Sequence, residues 1–190
     1  MVTKRKAVKA VAQWEQDTRR WANETARALA LDLYHHQPPA IRPYDIGVIL
    51  GAGETIWAQV PVGFNHDPTN YPTPPGPHIP TPAIRPWLVT SHRLVSRLGD
   101  DLLHDYAWQD MVGVRLQLAA GREALAINVV GQPTLVWFGA GLAPMAVAAV
   151  FHLYGPAALI DHPGLESIRN GQDWVTPTSP TASQRQALQR

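Results

Sequence analysis

The sequence predicts an α+β fold: a strongly bent antiparallel sheet of seven short strands, capped by a C-terminal helix and preceded by a long N-terminal helix. Three observations carry this expectation. Residues 84–138 divide into short runs rich in Val, Leu, Ile, Trp and Tyr, separated by turn residues. One apolar run, Leu142–Tyr154, follows them as a helix. Ahead of them, Val11, Trp14, Thr18, Trp21, Thr25 and Ala28 recur at alternating steps of three and four, the spacing of one helix face.

In chain order, residues 3–36 read as one helix, ended by Gln37-Pro38-Pro39 because proline excludes the preceding residue from the α region. Residues 37–52 form a linker closing on Gly51-Ala52-Gly53. Thr55–Val62 alternates as a first strand. An insertion, 63–82, holds prolines at 68, 72, 74, 75, 77, 80 and 82, so it reads as a long loop, with a polyproline II stretch at Tyr71–Pro77. Strands follow at Ile84–Thr90, Arg93–Arg97 and Leu102–Ala107. A corner at Trp108-Gln109-Asp110 leads into Met111–Leu118, with Val112, Val114, Leu116 and Leu118 assigned to one face. Ala124–Val130 and Thr134–Phe138 complete the sheet. In the closing helix Leu142, Met145, Ala149 and Leu153 form the covering stripe. Residues 156–174 read as an extension containing a short helix, and 175–190 as a polar, disordered tail.

Composition narrows the function classes. The chain has 190 residues, a formal net charge of +1 and no cysteine. That excludes a disulfide framework and a thiolate metal site or nucleophile, and it sets up no global field for nucleic acid. The cysteine-free composition points to a reducing, cytoplasmic setting. The basic start Lys4-Arg5-Lys6 lacks the uninterrupted apolar run of a signal peptide, since Gln13, Glu15, Gln16 and Asp17 intervene. Leu142–Tyr154 spans about 20 Å as a helix, short of the roughly 30 Å of a bilayer core.

The eight histidines form no metal spacing, and no nucleophile elbow or phosphate-binding glycine loop is present. Gly47–Gly53 is glycine-rich but leads into a strand where a dinucleotide site needs a helix. The expectation is a non-enzymatic protein with no catalytic residue, metal or cofactor.

Several local features, taken in order, resemble the pleckstrin-homology superfold, in particular bacterial PH-like and GRAM-type domains, over about residues 53–155. They are Gly53-Glu54 ahead of the first strand, Thr90 and Arg93 flanking the second hairpin turn, and Tyr106-Ala107-Trp108-Gln109-Asp110-Met111 leading into the fifth strand. The resemblance implies an open barrel that binds something, in a bacterial or phage setting. Lipid-binding members of that superfold place Lys and Arg around the first two strands, but 63–82 contains neither, and Arg85 is the sole base entering the second strand. Peptide-binding members use the groove between the fifth strand and the closing helix. That implies a protein-interaction surface at Val112, Val114, Leu142, Met145 and Leu153, a groove that the chain's own N-terminal helix or residues 156–174 could equally fill.

The helix stripe supplies the other protein-interaction candidates, Trp14, Thr18, Trp21 and Thr25, with the tryptophans as anchors. It packs on its own domain, on a second copy, or on another protein. The leading function is protein binding or self-association as a scaffold module. The alternative is a peripheral membrane module using an anionic-ligand tip, Lys4, Arg5, Lys6 and Lys9. Nucleic-acid binding by that tip is third.

Overall fold

A computed structural model describes residues 2–37, 39, 47–65, 84–98 and 102–169, with the side chains of 2–7, Asn65, Leu98 and Leu102 outside the description. The fold is α+β. Helix α1 (Val2–Tyr34) is followed by strands β1 (Ile56–Asn65), β2 (Arg85–Thr90), β3 (Arg93–Leu98) and β4 (Leu102–Ala107). A 3-10 turn, Trp108–Asp110, leads to β5 (Met111–Gln117), β6 (Ala124–Val129), β7 (Leu135–Phe138) and helix α2 (Ala143–Tyr154). Short helices α3 (Ala158–Asp161) and α4 (Glu166–Arg169) flank a 3-10 turn at Pro163–Leu165. Most of the expected elements fall within one to three residues of their observed bounds. β1 runs on to Asn65, into the segment read as the start of the loop. The polyproline stretch, the Gly99–Asp101 turn and the tail lie outside the described residues.

The seven strands form one antiparallel sheet in the order β4-β3-β2-β1-β7-β6-β5. β1 makes the bend. Ile56–Val62 pairs with β2, and Gly63–Asn65 pairs with β7. Gly63 sits where the ladders change: a Cβ there would lie 2.2 Å from the Phe138 ring, so no larger residue fits the crossing. β4 and β5 end at opposite edges of the order, so the sheet is not closed into a barrel.

Val60, Val62, Trp87, Val89, Leu94, Leu125, Ile127, Leu135 and Trp137 belong to one buried core with α2. Ala143–Val150 is buried at every residue, a uniformly apolar helix with no solvent face. The stripe expected for α2 is too narrow because α1 covers its back. Ala22, Ala26, Leu29, Ala30 and Leu33 of α1 are buried in the same core. Alanine on both helices lets the backbones approach closely, and that is why the small residues of α1, rather than its tryptophans, face inward.

Candidate functional site

Nine consecutive residues of α1, Val8–Gln16, are exposed, which covers every direction around the helix axis. The first buried residue is Thr18, and Arg19 forms an ion pair with buried Glu123 of the body. The 33-residue helix, about 50 Å long at 1.5 Å per residue, therefore has an anchored half and a free arm. The arm exposes Val8 (66%), Val11 (57%) and Trp14 (43%), and Trp21 (40%) lies beside the anchored half. Thr25 is half-buried and Ala28 exposed. Of the four stripe candidates, Trp14 and Trp21 are thus available to a partner and Thr18 is not. Lys9 is exposed. Lys4, Arg5 and Lys6 lie on the helical backbone, with their side chains outside the description.

The fifth-strand groove is corrected by the structure. Leu142 and Met145 are fully buried within the chain's own core, and Val114 and Leu153 are partly buried against it. The extension closes the groove: Leu159, Leu165 and Ile168 are fully buried, and a Cβ on Gly164 would lie 2.6 Å from Leu116 Cβ. Arg27 Nε donates to the Ile168 carbonyl (2.8 Å), tying the extension to α1. Val112 points to solvent (65%). The ladder skips it between the Met111↔Val129 and Gly113↔Asn128 pairs, so a bulge turns it away from the face it shares by simple alternation.

The three motif fragments converge in space. Glu54 is buried, and its Oε1 accepts from the Thr90 hydroxyl (2.7 Å) and Arg93 Nε (2.9 Å). Its Oε2 accepts from Arg93 Nη2 (3.0 Å) and the Gly51 N–H (2.7 Å). Burial pushes the Glu54 carboxyl up. The hydrogen bonds from Arg93, Gly51 and Thr90, with the Arg93 charge, outweigh it and hold the group below its usual range. Arg93 also pairs with Asp105, and its Nη2 donates to the Ile49 carbonyl (2.8 Å). The Thr90 hydroxyl accepts from the N–H groups of His92 (3.1 Å) and Arg93 (3.0 Å), and the Trp108 indole donates to the Thr90 carbonyl (2.9 Å). Every group here is engaged with the protein, so the cluster locks β1, the β2–β3 hairpin and the β4–β5 corner together.

Beside this clasp lies an open cleft of about 460 Å³, lined by Leu33, His36, Thr55, Trp57, His92 and Phe151 among others. Behind it His152 stacks between Trp57 (5.1 Å) and Trp108 (4.8 Å). Burial, with a smaller contribution from nearby His92, lowers its pKa to about 4, so the ring is neutral at pH 7. Ser91 Oγ accepts from the Thr55 N–H (3.0 Å) and contacts His92 Nδ1 (2.9 Å), so that hydroxyl ties the hairpin to β1.

Comparison with protein-family models, curated proteins and solved structures finds no match to this chain. Among the described residues no helix is long and apolar enough to cross a membrane, and no cluster of three His, Cys, Asp or Glu could hold a metal.

Sequence reasoning named Trp14 and Trp21 but missed where the helix leaves the body. The signal was the change from Ala22/Ala26/Leu29/Ala30/Leu33 to the sparser Val8/Val11 pattern.

Proposed function

We propose that this chain is a non-enzymatic protein-binding module that works through the free arm of α1, with a PH-like open sheet as its base. The carrying observation is the arm: apolar Val8, Val11 and Trp14 stand exposed on the stretch of α1 ahead of its first buried residue, Thr18. A helical arm of this length gains little from propensity alone, and Trp14 gains its burial energy only against another surface. The strand order and the Glu54–Thr90–Arg93 clasp support the PH-like reading of the base. Glu15 and Asp17 follow Trp14 and break the basic run Lys4, Arg5, Lys6 and Lys9, so the aromatic anchor sits in mixed charge, which favours a protein over a membrane or nucleic acid as its partner.

A photo-crosslinking residue in place of Trp14, in cells producing the full chain, tests this. Discrete protein adducts are expected at position 14 and not at exposed Leu103 of the body. Equal labelling at both positions, or none at 14, refutes the reading.

A further inference from the structure

The cleft of about 460 Å³ lies apart from the arm, at the C-terminal ends of α1 and α2. Its volume falls in the range of small-molecule sites. Trp57, buried, and Phe151, half-buried, form its apolar floor. His36, Gln37, Thr55 and His92 line its exposed rim. The side chains of His36, Gln37 and Thr55 have no hydrogen-bond partner among the described residues. Ser91 Oγ accepts from the Thr55 N–H, so its own proton is directed to His92 Nδ1. His92 then carries its proton on Nε2, a donor with no partner among the described residues. His36 is, among the described residues, the one non-glycine residue with a positive φ (56°). Its N–H donates to the Leu33 carbonyl and that of Gln37 to Asp32, a helix end that usually takes glycine. Histidine costs stability at such a place, and it supplies the cleft with an imidazole.

We infer that this cleft binds a small, uncharged, planar aromatic molecule that carries a hydrogen-bond donor and an acceptor on one edge. Trp57 and Phe151 supply apolar ring surface for the body of the ligand. That surface is held from behind, because His152 stacks on Trp57 (5.1 Å) and meets Phe151 edge-on (5.3 Å). His92 Nε2 donates to the ligand's acceptor. The Thr55 hydroxyl and the Gln37 amide each offer both roles, so an edge with one donor and one acceptor is matched. Fixed charge is what the lining lacks: none of its residues is Lys, Arg, Asp or Glu. Glu54 and Arg93 of the neighbouring clasp are engaged with each other. An anion would meet the negative ends of two helix dipoles with no cationic side chain to offset them. A cation would find no carboxylate. Either would give up hydration without an ionic partner, whereas an uncharged ring would not.

Benzamide, benzoate and benzamidine are the probes, because they share size and planarity and differ in charge. Each is titrated into the full chain, followed by NMR of the Trp57 indole, the His92 imidazole and the Phe151 ring. Benzamide is expected to shift these signals saturably at roughly millimolar concentration, as befits a ligand of its size. Each charged analogue is expected to bind about fivefold more weakly or worse. His36→Gly is the first variant. Glycine suits the helix end, so the melting temperature is kept or raised, while benzamide affinity falls about fivefold. Thr55→Val, at an exposed position, is expected to weaken binding by a similar factor. His35→Gln, next to His36 but outside the lining, is expected to leave affinity unchanged. Absence of a saturable shift with benzamide at Trp57, His92 and Phe151 overturns the inference. So does benzoate or benzamidine binding as tightly as benzamide. Unchanged affinity in both His36→Gly and Thr55→Val, or an equal loss in His35→Gln, overturns it as well. Crosslinking at position 14 reads a different surface, so neither result decides the other.

Discussion

Glu54→Gln is the most informative single change in the body. The carboxylate is buried (side chain 2% exposed) and accepts four hydrogen bonds, two of them from Arg93, whose side chain is 19% exposed. The amide keeps the shape but loses the charge, and its NH₂ meets an Arg93 N–H in either orientation, donor against donor, and in the place of Oε2 the Gly51 N–H as well. Removing one partner of a buried pair costs about 3–5 kcal/mol. Arg93 keeps Asp105 and some solvent, which places the loss at the lower end, about 3 kcal/mol. For a domain of this size that lowers Tm by about 6–12 °C.

The acid limb must change as well. The folded-state pKa of Glu54 lies below its ordinary value of 4.5, so its contribution is present above that pH and disappears as pH falls through the folded value. Urea denaturation from pH 7 to 3 should therefore show a shallower acid loss in Glu54→Gln than in the native chain. Glu54→Leu with Arg93→Met, which removes both charges, should recover part of the stability. Glu166→Gln is the control, because that carboxylate is exposed and pairs with Arg169 at the surface, where the expected change is below about 1 kcal/mol. Glu54→Gln costing no more than this control would refute the account of the clasp.

Two further outcomes follow from the packing. His152 is neutral in the fold and has a folded pKa of about 4 against 6.5, so the unfolded chain takes up its proton first. Stability is lost as pH falls from 6.5 to about 4. His152→Phe, which keeps a ring between Trp57 and Trp108, should flatten this window in denaturant titrations, and an unchanged slope would contradict it. Leu29→Ala should cost about 2–4 kcal/mol, because it empties a site between α1 and the body, whereas Trp14→Ala should alter monomer stability by no more than about 0.5 kcal/mol. Comparable losses in thermal melts would mean that the arm is not free.

Local signals in the sequence determined the elements. Proline, glycine and period-two alternation act within a few residues, so β2 to β7 and both long helices stand close to where the pattern places them. The apolar run Leu142–Tyr154 was legible as a covering helix, but its spacing assigned only one stripe to the core, whereas 142–150 is buried throughout. Other decisions were tertiary. Glu54, Thr90 and Arg93 are scattered polar residues in the chain, and only the β1–β2–β3 ladders bring them within hydrogen-bond reach.

The fifth-strand groove is lined with residues suited to a ligand, yet residues 158–169 fill it, a long-range choice that no local pattern encodes. The bulge at Val112 reverses a side chain that alternation alone assigns inward. In α1 the spacing marked a helix but not its buried face: of Val11, Trp14, Thr18, Trp21, Thr25 and Ala28 only Thr18 is buried, Ala22, Ala26, Leu29, Ala30 and Leu33 face the core, and Val8–Gln16 face solvent. That division depends on where the body ends along the helix, a length set by the packed sheet and α2 rather than by any residue of α1.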